Sequence, residues 1–120
     1  MIGLVDEFGR ALLDLNIRST SNGDPVEVTV WIDTAFNGEL VVPREMIESL
    51  GLEQSAGIRA ILADGNEVTL ESFACILDWF GGQRAVEVIA NNGQMPLLGI
   101  GLLIGHRLVV DYTDLIVSLE

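Results

Sequence analysis

The sequence of 120 residues holds one cysteine, one histidine and no lysine; its six cations are all arginine and face 18 acidic residues, for a net charge of −12. Each scarcity removes a class of function. A lone Cys75 permits no internal disulfide and cannot build a cysteine-rich zinc site. A lone His106 excludes HExxH and any two-histidine metal site within one protomer, and leaves a single imidazole for any serine–histidine triad. No metal or other cofactor is therefore expected. The shortage of cations denies the chain a basic face for a phosphate backbone and a polybasic patch for an anionic membrane, so neither nucleic acid nor membrane is an expected partner. No apolar run approaches the roughly 18–20 residues of a bilayer span. The opening residues, MIGLVDEFGR, carry two acids and no basic n-region, which does not read as a secretory signal. Cytoplasmic residence is the resulting expectation.

What is present suffices for a core. Apolar residues make up 49% of the chain and the mean hydropathy is +0.43, which excludes a disordered chain. No linker or low-complexity tract divides it, so one domain is expected across 1–120. Residues 10–19 (RALLDLNIRS) alternate as a half-buried strand does, SNGDP at 21–25 reads as a turn, and VEVTVWI at 26–32 follows as a β-branched strand. Residues 39–42 form a short apolar strand. PREMIESLGL then starts a helix at Pro43, puts Met46, Ile47 and Leu50 on one face and stops at Gly51. Residues 57–63 and 66–80 read as strands joined at Asp64-Gly65, Gly81-Gly82 as a turn into a strand at 84–90, and Asn91–Gly93 as another turn. Leu97–Ile104 is apolar and leads into a short helix after Gly99, and two strands, 107–111 and 115–119, close the chain. Some eight strands with one or two short helices predict an all-β barrel or sandwich, and helices do not alternate with strands as a parallel α/β sheet requires.

The informative stretch is Trp31-Ile32-Asp33-Thr34-Ala35-Phe36-Asn37-Gly38. A carboxylate at the end of an apolar strand is held rigidly and partly desolvated, as a catalytic acid would be. The plainer reading of the same residues is an Asx turn that closes its own backbone hydrogen bonds. Two further elements favour chemistry. The hairpin tip Ala63-Asp64-Gly65-Asn66 lies between long strands and can fold over a cleft as a flap. Pro96-Leu97-Leu98-Gly99-Ile100-Gly101 places an apolar pair before a glycine that lets backbone pass close to another loop.

In that order the three elements resemble the retropepsin-like aspartic proteases, and more closely the single-domain prokaryotic ones: apolar-apolar-Asp-Thr, then a flap hairpin, then apolar-apolar-Gly before a helix. The resemblance spans nearly the whole chain. It implies a closed retropepsin-like β-barrel with one or two short helices and an aspartic-type endopeptidase that cuts peptide or protein substrates. By that likeness Asp33 matches the catalytic aspartate, and Thr34 the hydroxyl that bonds across to the partner's loop. Ala35, Phe36 and Asn37 match the loop beside substrate, Ala63, Asp64, Gly65 and Asn66 the flap tip, and Leu97, Leu98 and Gly99 the element packed behind the loop. The chain departs from the family in three places. Ala35 replaces the usual glycine, the flap has one glycine, and Asn37 and Ile100 stand where many viral members pair an aspartate with an arginine.

The mechanism needs two carboxylates and the chain has one such motif, so two copies of Asp33 must meet across a two-fold axis in a homodimer. Rival readings are an inactive dimerisation or peptide-binding module of the same fold, and an unrelated all-β protein that adds strands to partners at its edges. Other residues have plainer roles: His106 as a cap or surface residue, Cys75 as a small buried hydrophobe, Trp31 and Trp79 as core or interface. Asp24, Asp111 and Asp114 are turn residues. The remaining acids are scattered as on a solvated face, and GIGLLIG lacks the Lys-Ser/Thr ending of a phosphate loop.

Overall fold

The computed structural model describes residues 1–55, 58–61 and 64–120. Among them the chain runs β1 (Ile2–Val5), β2 (Ala11–Arg18), β3 (Val26–Ile32), β4 (Leu40–Pro43), α1 (Arg44–Leu50), β5 (Glu53–Gln54), β6 (Ile58–Ile61), β7 (Glu67–Leu70), β8 (Ser72–Trp79), β9 (Gly82–Asn91), β10 (Leu97–Leu98), α2 (Ile100–Leu103), β11 (Leu108–Asp111) and β12 (Ile116–Leu119). The fold is all-β with two short helices. No helix among the described residues is long and apolar enough to cross a membrane.

Alternation drives the first hairpin. Ala11, Leu13, Leu15 and Ile17 of β2 point inward and meet Val28, Val30 and Ile32 of β3, while Asp14 and Asn16 face solvent. Ten strands then follow the order β11-β12-β1-β2-β3-β10-β4-β9-β8-β5, and an added β2–β8 pairing links six of them, β2-β3-β10-β4-β9-β8, in a ring. Inward side chains fill it, with Leu13, Val30, Leu40, Leu77, Val88 and Leu98 among those fully buried. Among the described residues β6 and β7 pair with each other, as a two-stranded sheet.

Several expectations change. Twelve strands form among the described residues rather than eight: β1, β5 and β10 join the expected set, and the expected 66–80 strand is broken at Glu71 into β7 and β8. The hairpin into β9 turns at Phe80-Gly81, not Gly81-Gly82, because Trp79 pairs with Gly82 and the two loop residues both take positive φ, 47° and 82°. That is the twist-matched two-residue turn, and here Phe80 accepts the strain at its first position. Two pairings in the sheet, β3–β10 and β4–β9, are parallel. Pro43 ends β4 and caps α1 rather than opening it, and Gly51 stops the helix in the left-handed region at φ 68°.

Among the described residues Arg10 pairs with Asp6, Arg18 with Asp78, Arg44 with Glu71 and Arg84 with Glu39. The Arg18–Asp78 pair lies at the seam of β2 and β8, with both guanidinium nitrogens Nε and Nη2 on the carboxylate at 2.9 and 3.0 Å. The guanidinium beside Asp78 holds its carboxyl below the ordinary value, in spite of partial burial that works the other way.

Candidate active site

Asp33 stands where β3 ends and β10 passes beside it. Leu97 and Leu98 lie parallel to Trp31 and Ile32, and on their other side run antiparallel to Val41 and Leu40. The two-residue strand β10 is thus wedged between the strand that enters the Asp33 loop and the strand that leaves it. Its backbone extends the ladder past the last strand residue: Asp33 N–H donates to Leu98 O at 2.8 Å and Trp31 N–H to Pro96 O at 2.9 Å. Leu98 is fully buried beneath this crossing, so the apolar pair anchors the main chain of Asp33 from below.

The loop closes on itself. Asp33 Oδ1 accepts the Ala35 N–H at 2.9 Å, and Phe36 N–H donates to Asp33 O at 3.2 Å. The Asx turn and the rigid placement of the carboxylate are therefore both present. Asp33 is half-buried, and its Oδ2 has no hydrogen-bond partner among the described residues. Thr34, Ala35 and Asn37 are exposed, and the Thr34 hydroxyl makes no bond among the described residues. A carboxylate fixed by one oxygen, with the other free, can accept a proton from water or share one with a second acid.

Phe36 packs backward. Its ring covers Gly38 and Gly99, and its carbonyl accepts the Ile100 N–H at 2.8 Å. A methyl group at Gly99 would collide with Gly38 O and the Phe36 ring, so the approach of the two segments demands glycine there. Gly99 N–H reaches Glu39 O and Gly101 N–H reaches Gly38 O, each at 2.9 Å. Leu97, Leu98 and Gly99 are accordingly brought together with Asp33–Asn37.

The hairpin tip joins the two strands of the β6–β7 sheet. Asp64, Gly65 and Asn66 are exposed, Gly65 has φ +86°, and Asp64 accepts both the main-chain and side-chain N–H groups of Asn66 at 2.9 Å. Ala63 lies outside the described residues. No hydrogen bond among the described residues joins the tip to the Asp33 loop. The hollow of about 800 Å³ beside α1 and the 91–94 turn does not include Asp33 in its lining.

Among the residues given plainer roles, Cys75 is buried as expected, and burial, with a contribution from Glu39, pushes its thiol up to about 12. Trp79 belongs to the core and meets Phe80 and His106 edge-on, while His106 stacks on Phe80 with centroids 4.5 Å apart. Trp31 is not core: it is 40% exposed, with the Arg10 guanidinium 5.7 Å from its ring. No group of three or more metal-ligating side chains occurs among the described residues. Sequence reasoning missed Glu39 and Arg84, whose ion pair spans 45 residues and has no local signature.

No protein-family model matches the sequence, and no curated protein does. Solved structures do. A retropepsin-like aspartic protease from Rickettsia conorii superposes with a TM-score of 0.68 at 16% identity, over 99% of this chain and 88% of that one. An EIAV protease in complex with an inhibitor gives 0.54 at 19% identity, over 78% and 85%. The retroviral protease-like domain of Ddi1 from Leishmania major gives 0.51 at 14% identity, over 91% and 88%. The path of this backbone, from the first hairpin to β12, is therefore the retropepsin-like aspartic protease fold.

Proposed function

We propose that residues 1–120 form one retropepsin-like domain and that two copies assemble as an aspartic endopeptidase with Asp33 as the catalytic acid. The observation that carries this reading is the Asp33 carboxylate itself, fixed through Oδ1 and the Leu98 ladder with Oδ2 left free. Across a two-fold axis, two such groups close together cannot both ionise easily, so one keeps a proton. The ionised Asp33 removes a proton from water as its oxygen attacks the peptide carbonyl, and the protonated partner donates a hydrogen bond to the developing oxyanion. Collapse of the tetrahedral intermediate breaks the C–N bond, and a proton passes from the dyad to the leaving amine. The exposed Thr34 hydroxyl would bond across to the partner's loop. Ala35 and Asn37, with Phe36 packed behind them, would border the substrate, and the 63–66 tip would lie above it.

A face suited to pairing supports the two-copy requirement. The register aligns Ile116, Leu4, Leu12 and Trp31 in one row across β12, β1, β2 and β3, and Ile2 and Val109 lie on the same face. Ile2 is 73% exposed and Leu4 55%, which is unusual for a sheet face with no partner. The row ends at Trp31, two residues before Asp33.

The inactive-module reading draws on the Asx turn, which gives Asp33 a purely structural use. One variant separates the two. Asp33→Asn keeps an amide oxygen as acceptor for the Ala35 N–H, so the variant should fold and dimerise as wild type while cleavage of a peptide library falls by roughly 10³-fold or more. Residual cleavage at the wild-type rate would remove Asp33 from the mechanism. Binding of a pepstatin-type inhibitor by wild type, and an activity profile on the acid side of neutral, are the accompanying expectations.

A further inference from the structure

Three segments converge below Asp33: the loop exit Gly38-Glu39, the start of α2 at Gly99–Gly101, and β9. Backbone hydrogen bonds join the first two, from Gly99 N–H to Glu39 O and from Gly101 N–H to Gly38 O. The third is joined by side chains. Glu39 reaches β9 with both carboxylate oxygens, Oε1 accepting the Glu87 N–H and Oε2 the Arg84 Nη2–H, each at 2.9 Å. The same Arg84 nitrogen donates to Gly101 O at 3.3 Å. One guanidinium from β9 therefore touches both segments that hold the Asp33 loop. Gly101 lies so close that an added Cβ would stand 3.0 Å from Glu39 Cγ, so the absence of a side chain there lets Glu39 pass beside the start of α2.

We propose that Glu39 and Arg84 are positioning residues: their ion pair cross-braces the exit of the Asp33 loop and the start of α2 against β9, fixing where the Asp33 carboxylate stands. This rests on the peptidase reading above for its catalytic consequence, but not for the brace. The position of such a pair matters more than its exposure-limited contribution to stability. Asp33 is attached to Leu98, Leu98 to Gly99, and Gly99 to Glu39, so slack at the ion pair is passed along a short chain of backbone bonds to the reacting group. Misplacement of a reacting group by about 1 Å can cost up to roughly 10²-fold in rate.

The test compares the full-length wild type with Arg84→Met, Arg84→Lys, Glu39→Gln and the Glu39→Gln/Arg84→Met double variant, by amide hydrogen exchange and by peptide cleavage. In Arg84→Met, exchange at the Gly99, Ile100 and Gly101 amides should quicken roughly tenfold, with the Leu13 and Val30 amides unchanged. Arg84→Lys, which keeps the charge, should restore most of the protection. For any peptide the wild type cuts, kcat should fall about tenfold with KM within about twofold, and the double variant should be no worse than the poorer single one. Equal quickening at Leu13 and Val30, or none at Gly99–Gly101, would overturn the brace. So would additive losses in the double variant, or a loss carried by KM alone. If the wild type cuts no peptide, the peptidase reading fails, and the exchange pattern decides the brace by itself.

Discussion

The centre and the end of the ten-stranded sheet handle their apolar residues in opposite ways. At the centre, Leu98 of the two-residue β10 is fully buried and paired with a strand on each side. At the end, β1, β12 and β11 bury Val5, Val117 and Leu119 on one face and leave Ile2, Leu4, Val109 and Ile116 open on the other. The Asp33 loop is held by backbone bonds to β10 and α2, to which Glu39 and Arg84 add side-chain ties from β9. The outer face at the end, where the second copy is proposed to sit, is built from side chains outside the protomer's own core. The two regions should therefore respond differently to substitution.

Gly99→Ala gives the largest expected effect on stability. Its methyl group meets backbone oxygen and the Phe36 ring, neither of which can rotate away without moving the loop, so a loss of about 1–3 kcal/mol is expected in urea unfolding. Wild-type stability in that variant would mean the crossing is looser than its hydrogen bonds indicate. At the other region, Leu4→Lys should change protomer stability by no more than ~0.5 kcal/mol, since Leu4 is exposed. It should nevertheless weaken self-association about tenfold or more, as measured by sedimentation. An unchanged association constant would take the terminal sheet out of the interface.

The smallest effect concerns the β2–β8 seam. Because the folded value of Asp78 is depressed by Arg18, the contribution of the pair is fully present above the ordinary carboxylate value of 3.8 and fades as pH falls through the lower folded value. Thermal melts of wild type and Asp78→Asn should differ at neutral pH and converge in acid below that range. A constant difference down to about pH 2 would contradict the assigned cause.

How much can be read from sequence follows from the range of the interactions. The β2–β3 hairpin, α1 and the Asp33–Asn37 loop are legible because alternation, turn residues and a helix stop lie within a few positions of one another. The likeness in the order of Asp33-Thr34, Asp64-Gly65 and Leu97-Leu98-Gly99 carries the fold further than periodicity does. β1 is not legible: IGLV has no alternation, and its strand partner β12 lies at the far end of the chain. β10 is two residues long and owes its state to neighbours on both sides. The turn at Phe80 falls one residue before the expected one because the double glycine at 81–82 masks which pair occupies the loop. Glu39 and Arg84 look like surface charges until β4 and β9 are laid side by side.

The ion pairs have one more consequence. Arg10, Arg18, Arg44 and Arg84 are each occupied by a carboxylate of the same chain, so two copies brought together as proposed would meet as like-charged bodies of −12 each. Added electrolyte, which shortens the reach of that repulsion to about 8–10 Å near physiological strength, should tighten the proposed pairing instead of loosening it.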